Sequence, residues 1–157
     1  MQIRIVGCLL ILAAGTVTAL ILRREATARL TQLDGFISLL RYIRACIASY
    51  NTPIDRILAS CDAEILKKCG AKGAPKDIDT LRASLDPRPE AEIESILASF
   101  ASEFGTGFRD EQLRSLDYHI SRLESLRAPM ADSTEKRKRL VTALCLSGAA
   151  AIAIFLI

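Results

Sequence analysis

The chain of 157 residues holds a single histidine, His119, which is the first position to test for chemistry. Asp117 and Glu124 stand near it at helical offsets, where a carboxylate could orient an imidazole for acid–base work. The same offsets equally suit solvated ion pairs on a helix surface, so no catalytic role is assigned. The stretch from Gly70 to Lys76, Gly-Ala-Lys-Gly-Ala-Pro-Lys, has the glycines of a phosphate-cradling loop. It lacks the Gly-Lys-Ser/Thr step and a preceding strand, and reads as a plain loop. Cysteines at positions 8, 46, 61, 69 and 145 form no Cys-x-x-Cys pair and no Cys/His cluster. That argues against a zinc site or a disulfide framework and suits a reducing compartment. The expectation is a non-enzymatic chain with no catalytic, cofactor-binding or metal-ligating residues and no small-molecule substrate.

The elements that position these residues follow from the distribution of charge. Half of the residues are hydrophobic, but only 5% are aromatic and none is Trp, so the apolar content is aliphatic and Ala-rich, which favours helix. Every charged residue except Arg4 lies between Arg23 and Arg139. The uncharged runs 5–22 and 140–157 are each 18 residues long, or about 27 Å as helix, close to the thickness of a bilayer core. Both read as transmembrane helices. The expected organisation is an N-terminal span over 1–22, a helical domain over 23–139 and a C-terminal span over 140–157. The domain carries 20 basic and 18 acidic residues, too even a balance to attract nucleic acid.

Charge placement also sets the expected orientation. Arg23 and Arg24 follow the first run, and Lys136, Arg137, Lys138 and Arg139 precede the second, so the positive-inside rule puts the domain in the cytoplasm. The competing layout is a two-span extracytoplasmic sensor or receptor. A cleaved signal peptide ending near Val17-Thr18-Ala19 would remove the first span, but the second basic cluster would still hold the domain inside. The cluster Lys136 to Arg139 could also bind anionic lipid head groups, although setting the topology is enough to explain it.

Within the domain, Leu33, Phe36, Leu40, Ile43, Ile47 and Tyr50 recur at steps of three and four, one apolar stripe on a helix that continues the first span. A second helix starts at Thr52-Pro53, with Thr52 as N-cap, buries Ile54, Ile57, Leu58, Cys61 and Ile65, and stops at Gly70. Asp77 caps a short third helix ending before Asp86-Pro87. Ile93, Ile96, Leu97, Phe100 and Phe104 mark a fourth, closed by Gly105 and Gly107. Leu113, Leu116, Ile120 and Leu123 mark a fifth. Pro129 should end or kink that helix, and Asp132 or Ser133 should start the last one. No stretch alternates like a strand, and no internal repeat stands out. The expected fold is all-α, an antiparallel helical bundle between two terminal transmembrane helices. Arg41, Arg44, Arg109 and Arg114 flank the apolar stripes and are the candidate partner-docking residues.

Three segments carry a family resemblance. Gly35-Phe-Ile-Ser-Leu-Leu-Arg-Tyr-Ile-Arg44, Thr52-Pro53-Ile54 and Glu64-Ile-Leu-Lys-Lys-Cys-Gly70 resemble the first half of the stage III sporulation protein AB family of clostridia-like bacteria. Phe100-Ala-Ser-Glu-Phe-Gly-Thr-Gly-Phe-Arg-Asp-Glu-Gln112, leading into Leu123-Glu124, resembles its second half. The chain departs from many relatives at Ala101, where they have Gly, and at Phe108, where they have Asp. The resemblance implies a part of the complex joining mother cell and forespore, on the mother-cell side. The soluble domain is similar to the cytoplasmic helical domain of the inner-membrane platform protein of type II secretion. By that analogy, the partners would be the secretion-type ATPase stage III sporulation protein AA and other membrane components of the complex. The family offers no catalytic or ligand residues to carry over.

Overall fold

The computed structural model describes residues 2–50, 53–73, 75–105 and 107–156. In the two long helices, the side chains of residues 2–16, 18, 19, 22, 23, 26, 50, 142, 145, 146 and 149–156 lie outside the described set. The expected N-cap Thr52, the Arg23 side chain, the Cys8 and Cys145 thiols and most of both apolar runs fall there. Among the described residues, no helix is long and apolar enough to cross a membrane.

Six helices follow one another among the described residues: α1 Gln2–Tyr50, α2 Ile54–Ala59, α3 Ala63–Cys69, α4 Ile78–Ser84, α5 Ala91–Glu103 and α6 Arg109–Leu156. The described residues form no strand, only one isolated antiparallel bridge between Ala71 and Leu85. The chain divides into two compact units, one made of 1–28 and 130–157, the other of 29–129. Both draw on α1 and α6.

The core lies in the unit 29–129. The stripe on α1 is realised as far as Ile47, with Leu33, Phe36 and Ile43 fully buried and Leu40 and Ile47 nearly so; the Tyr50 side chain lies outside the described set. Ile93, Ile96, Leu97 and Phe100 of α5 and Leu116, Ile120 and Leu123 of α6 are buried as well. Phe104 and Leu113 are only half-buried.

The single second helix expected up to Gly70 is instead two, α2 and α3. Asp62 caps α3 by accepting from the Glu64 amide at 2.9 Å, while the Ser60 hydroxyl bonds back to the Arg56 and Ile57 carbonyls. Side chains that bond the local backbone compete with the helical ladder, and here they win. The break shifts the phase of the buried face. Ile57 and Leu58 are buried as expected, but Leu66 and Cys69 take the places foreseen for Cys61 and Ile65. Pro53 is the N-cap of α2, one position later than the Thr52 that the sequence suggests.

Two other punctuation marks hold. Asp77 accepts from the Thr80 amide at 2.6 Å and caps α4, and Gly70 closes α3 in the left-handed region at φ 83°. Pro129 does not end its helix, because α6 runs through it without interruption and no new helix starts at Asp132 or Ser133. A proline removes one ladder bond, here to the carbonyl of Ser125, and Ser125 and Pro129 are both exposed, so water can take up the freed group.

Candidate functional site

Within the unit 29–129, α1 and α6 run antiparallel and are stitched by arginines. Arg127 pairs with Asp34 at 2.7 Å, Arg41 with Glu124 at 2.6 Å, and Arg44 holds Asp117 through two contacts of 2.5 and 3.0 Å. As the positions rise on one helix they fall on the other. Arg109, in the first turn of α6, donates to the Ile47 carbonyl at 3.1 Å and to that of Ala48. Those carbonyls belong to the last turn of α1, which has no helical donors of its own, so Arg109 acts as a C-terminal cap delivered from another helix. Asp117 holds the Arg44 guanidinium firmly protonated, chiefly through their hydrogen bond, and Asp34 does the same for Arg127. Three of the four sequence-predicted docking arginines are thus engaged inside the fold. Arg114 is exposed and makes no ion pair among the described residues.

A second contact set fixes α1 against α3. Gly35 is buried, and a Cβ there would stand 2.8 Å from the backbone nitrogen of Cys69 and the carbonyl carbon of Lys68. One turn earlier, the buried Gln32 donates to the Cys69 carbonyl at 2.9 Å and to the Pro87 carbonyl at 2.7 Å. Gly70 completes the lock, since a Cβ on it would meet the Asp86 carbonyl oxygen at 2.9 Å. Beside it, the Asp86 amide bonds the Gly70 carbonyl at 2.9 Å and the Lys72 amide the Ser84 carbonyl at 3.2 Å, closing the neck of the excursion that holds α4. Arg82 on α4 reaches Asp79 at 3.2 Å and Glu94 on α5 at 2.7 Å, beside a cleft of about 320 Å³ also lined by Arg88 and Pro89. The described residues of the Gly70–Lys76 stretch form no helix, as the sequence reads, and Ala74 lies outside the described set.

His119 is fully buried, unlike the solvated residue that its neighbours Asp117 and Glu124 suggest. Those two acids pair with Arg44 and Arg41. The Nε2 of His119 lies 3.1 Å from Oε2 of Glu103 on α5, and the same oxygen accepts the Ser115 hydroxyl at 2.8 Å. These contacts, His119 first, hold the Glu103 carboxyl below the usual range. Phe100 and Tyr118 meet the imidazole edge-on at 5.7 and 5.3 Å between ring centres, and Nδ1 has no hydrogen-bond partner among the described residues. Ser115 donates to the carboxylate and not to the imidazole, so the three side chains do not form a nucleophile–base relay. The arrangement ties α5 to α6. Its signal in the sequence is the position of His119 between Leu116 and Leu123 on the apolar stripe. Gln32 is legible in the same way, one turn before Phe36, whereas nothing local marks Glu103 or Ser115.

Burial pushes the Cys69 thiol up to about 12, and Cys46 and Cys61 are half-buried free thiols. Among the described residues, no group of three or more His, Cys, Asp and Glu side chains could hold a metal ion.

In the unit made of 1–28 and 130–157, Arg24, Lys136, Arg137 and Arg139 are exposed. Lys136 pairs with Asp132 at 2.7 Å and Lys138 with Glu135 at 3.3 Å, while Arg24, Arg137 and Arg139 make no ion pair among the described residues.

A search of protein families matches residues 4–72 and 88–157 of the chain to the family described as stage III sporulation protein AB. The unmatched stretch 73–87 contains α4. No curated protein and no solved structure matches the chain.

Proposed function

Because the chain belongs to the stage III sporulation protein AB family, and so has a role in sporulation, we propose that it is a non-enzymatic membrane platform. It is held in the mother-cell membrane by a span at each end, with the helical domain on the cytoplasmic side, and docks the secretion-type ATPase stage III sporulation protein AA. The observation that carries this reading is the extent of the match, which takes in both terminal apolar runs and most of the domain between them. The basic residues beside each run support the orientation. The kind of partner follows from the resemblance read in the sequence between the domain and the type II secretion platform protein, an analogy of fold that names no site. A tethered domain also meets membrane-bound partners at high effective concentration.

The full chain, extracted from membranes in mild detergent, is expected to co-elute with the ATPase, and deleting it is expected to abolish heat-resistant spores. Arg114→Glu is the first docking variant to try, since Arg114 is exposed and unpaired among the described residues. The platform reading fails if no association forms and spores still mature.

A further inference from the structure

On both long helices one outward stripe changes from apolar to cationic within a single turn. Val17, Leu20 and Ile21 on α1 are 55%, 58% and 54% exposed, and Arg24 follows at the i+3 and i+4 positions from the last two. Residues so spaced share one helix face. On α6, Leu144 and Leu140 are 70% and 63% exposed, and Arg137 stands three residues before Leu140 on the same face. One helical turn is about 5.4 Å, the depth over which a bilayer passes from acyl chain to phosphate. Large aliphatic side chains left open on a helix surface need a non-aqueous neighbour. The cation one turn further on needs an anion; Asp132 and Glu135 are already taken by Lys136 and Lys138, and Glu25, exposed beside Arg24, makes no ion pair with it among the described residues.

We propose that Arg24 and Arg137, with Arg139 beside them, form a binding belt for anionic phospholipid, the exposed leucines contacting its acyl chains and the guanidiniums its phosphate. This rests on the two-span reading and adds to it a preference for one lipid class. A guanidinium suits the task because it presents paired donors to phosphate oxygens, and among the described residues none of these three makes an ion pair.

The test is spin-label spectroscopy on the full chain in phosphatidylcholine vesicles containing one-third phosphatidylglycerol, with the label on either lipid. The motionally restricted fraction is expected to be about threefold higher for phosphatidylglycerol, falling towards parity in the triple variant Arg24→Gln, Arg137→Gln, Arg139→Gln and at high salt. The triple Lys variant should keep most of the preference, which separates loss of charge from misfolding. Equal restriction of both lipids by the unaltered chain would overturn the proposal, as would a preference that the Gln variant retains. Restriction of any lipid at all shows that the chain is embedded. Failure of the belt is thereby told apart from failure of the two-span reading, in which case neither label is restricted and alkaline carbonate strips the chain from the vesicles.

Discussion

Gln32 is the residue on which the packing of α1 depends most. Its carboxamide serves two carbonyls, that of Cys69 buried and that of Pro87 partly so, and an unsatisfied buried acceptor costs far more than an average hydrogen bond contributes. Gln32→Leu is therefore expected to destabilise the folded domain by about 2–4 kcal/mol, read from denaturant unfolding of the chain in detergent. Gly35→Ala tests the same contact from the other side, because the added methyl would press on the Cys69 backbone. A loss of about 1–3 kcal/mol is expected, since a backbone neighbour cannot rotate away. Glu103 gives a pH-dependent readout. Its carboxyl is held down in the folded state, so its contribution is present above the unfolded-state value near about 4.3 and is lost as pH falls through the lower folded value. The melting temperature should drop across that acidic window, and less steeply in Glu103→Gln. An unchanged slope would show that the contacts with His119 and Ser115 contribute nothing. At this scale the sequence is legible where a polar residue interrupts an apolar stripe, as Gln32 and His119 do. It is silent on Glu103, whose partners come from another helix.

The stitching of α1 to α6 belongs to the elements rather than to any one pair. Exposed ion pairs contribute little singly, but a series in falling and rising register excludes a slipped or parallel arrangement. Arg44→Glu should lower the melting temperature by a few degrees and Asp117→Arg in the same chain should restore it, whereas two additive losses would show that the pair has no coupling. The helices with unbroken apolar spacing, α5 and the domain halves of α1 and α6, can be read from sequence because one period runs the length of each. The break at Ser60–Asp62 escapes that method, since it is decided by short polar side chains competing for backbone. So does the continuity of α6 across Pro129, where exposure lets water satisfy the freed Ser125 carbonyl. Although α4 lies outside the family match, it is no loose appendage. Ile78, Leu81 and Leu85 are all buried. Leu81→Ala should cost about 2–4 kcal/mol, as for any truncated core leucine, and a value near zero would mean that α4 is dispensable to the fold.

For the whole molecule, the proposed function turns on the side of the membrane on which it places the domain. The native thiols are poor reporters, because the Cys69 thiol is buried and raised to about 12, and only thiolates react readily. Ser95 is exposed on α5, so Ser95→Cys in a chain with Cys46, Cys61 and Cys69 replaced by Ala supplies an open reporter. It should resist an impermeant maleimide in intact cells and react once the membrane is opened. Reaction in intact cells would favour the extracytoplasmic sensor. The closed neck at Ala71 and Leu85 also has a practical use. Beyond it, Gly73 is exposed at φ 91° and a Cβ there would touch nothing within 4 Å. Because its two ends already meet, the excursion tolerates extra length at its tip at small entropic cost. A short affinity epitope placed after Gly73 would give an internal handle for purification and imaging, leaving both ends of the chain untouched.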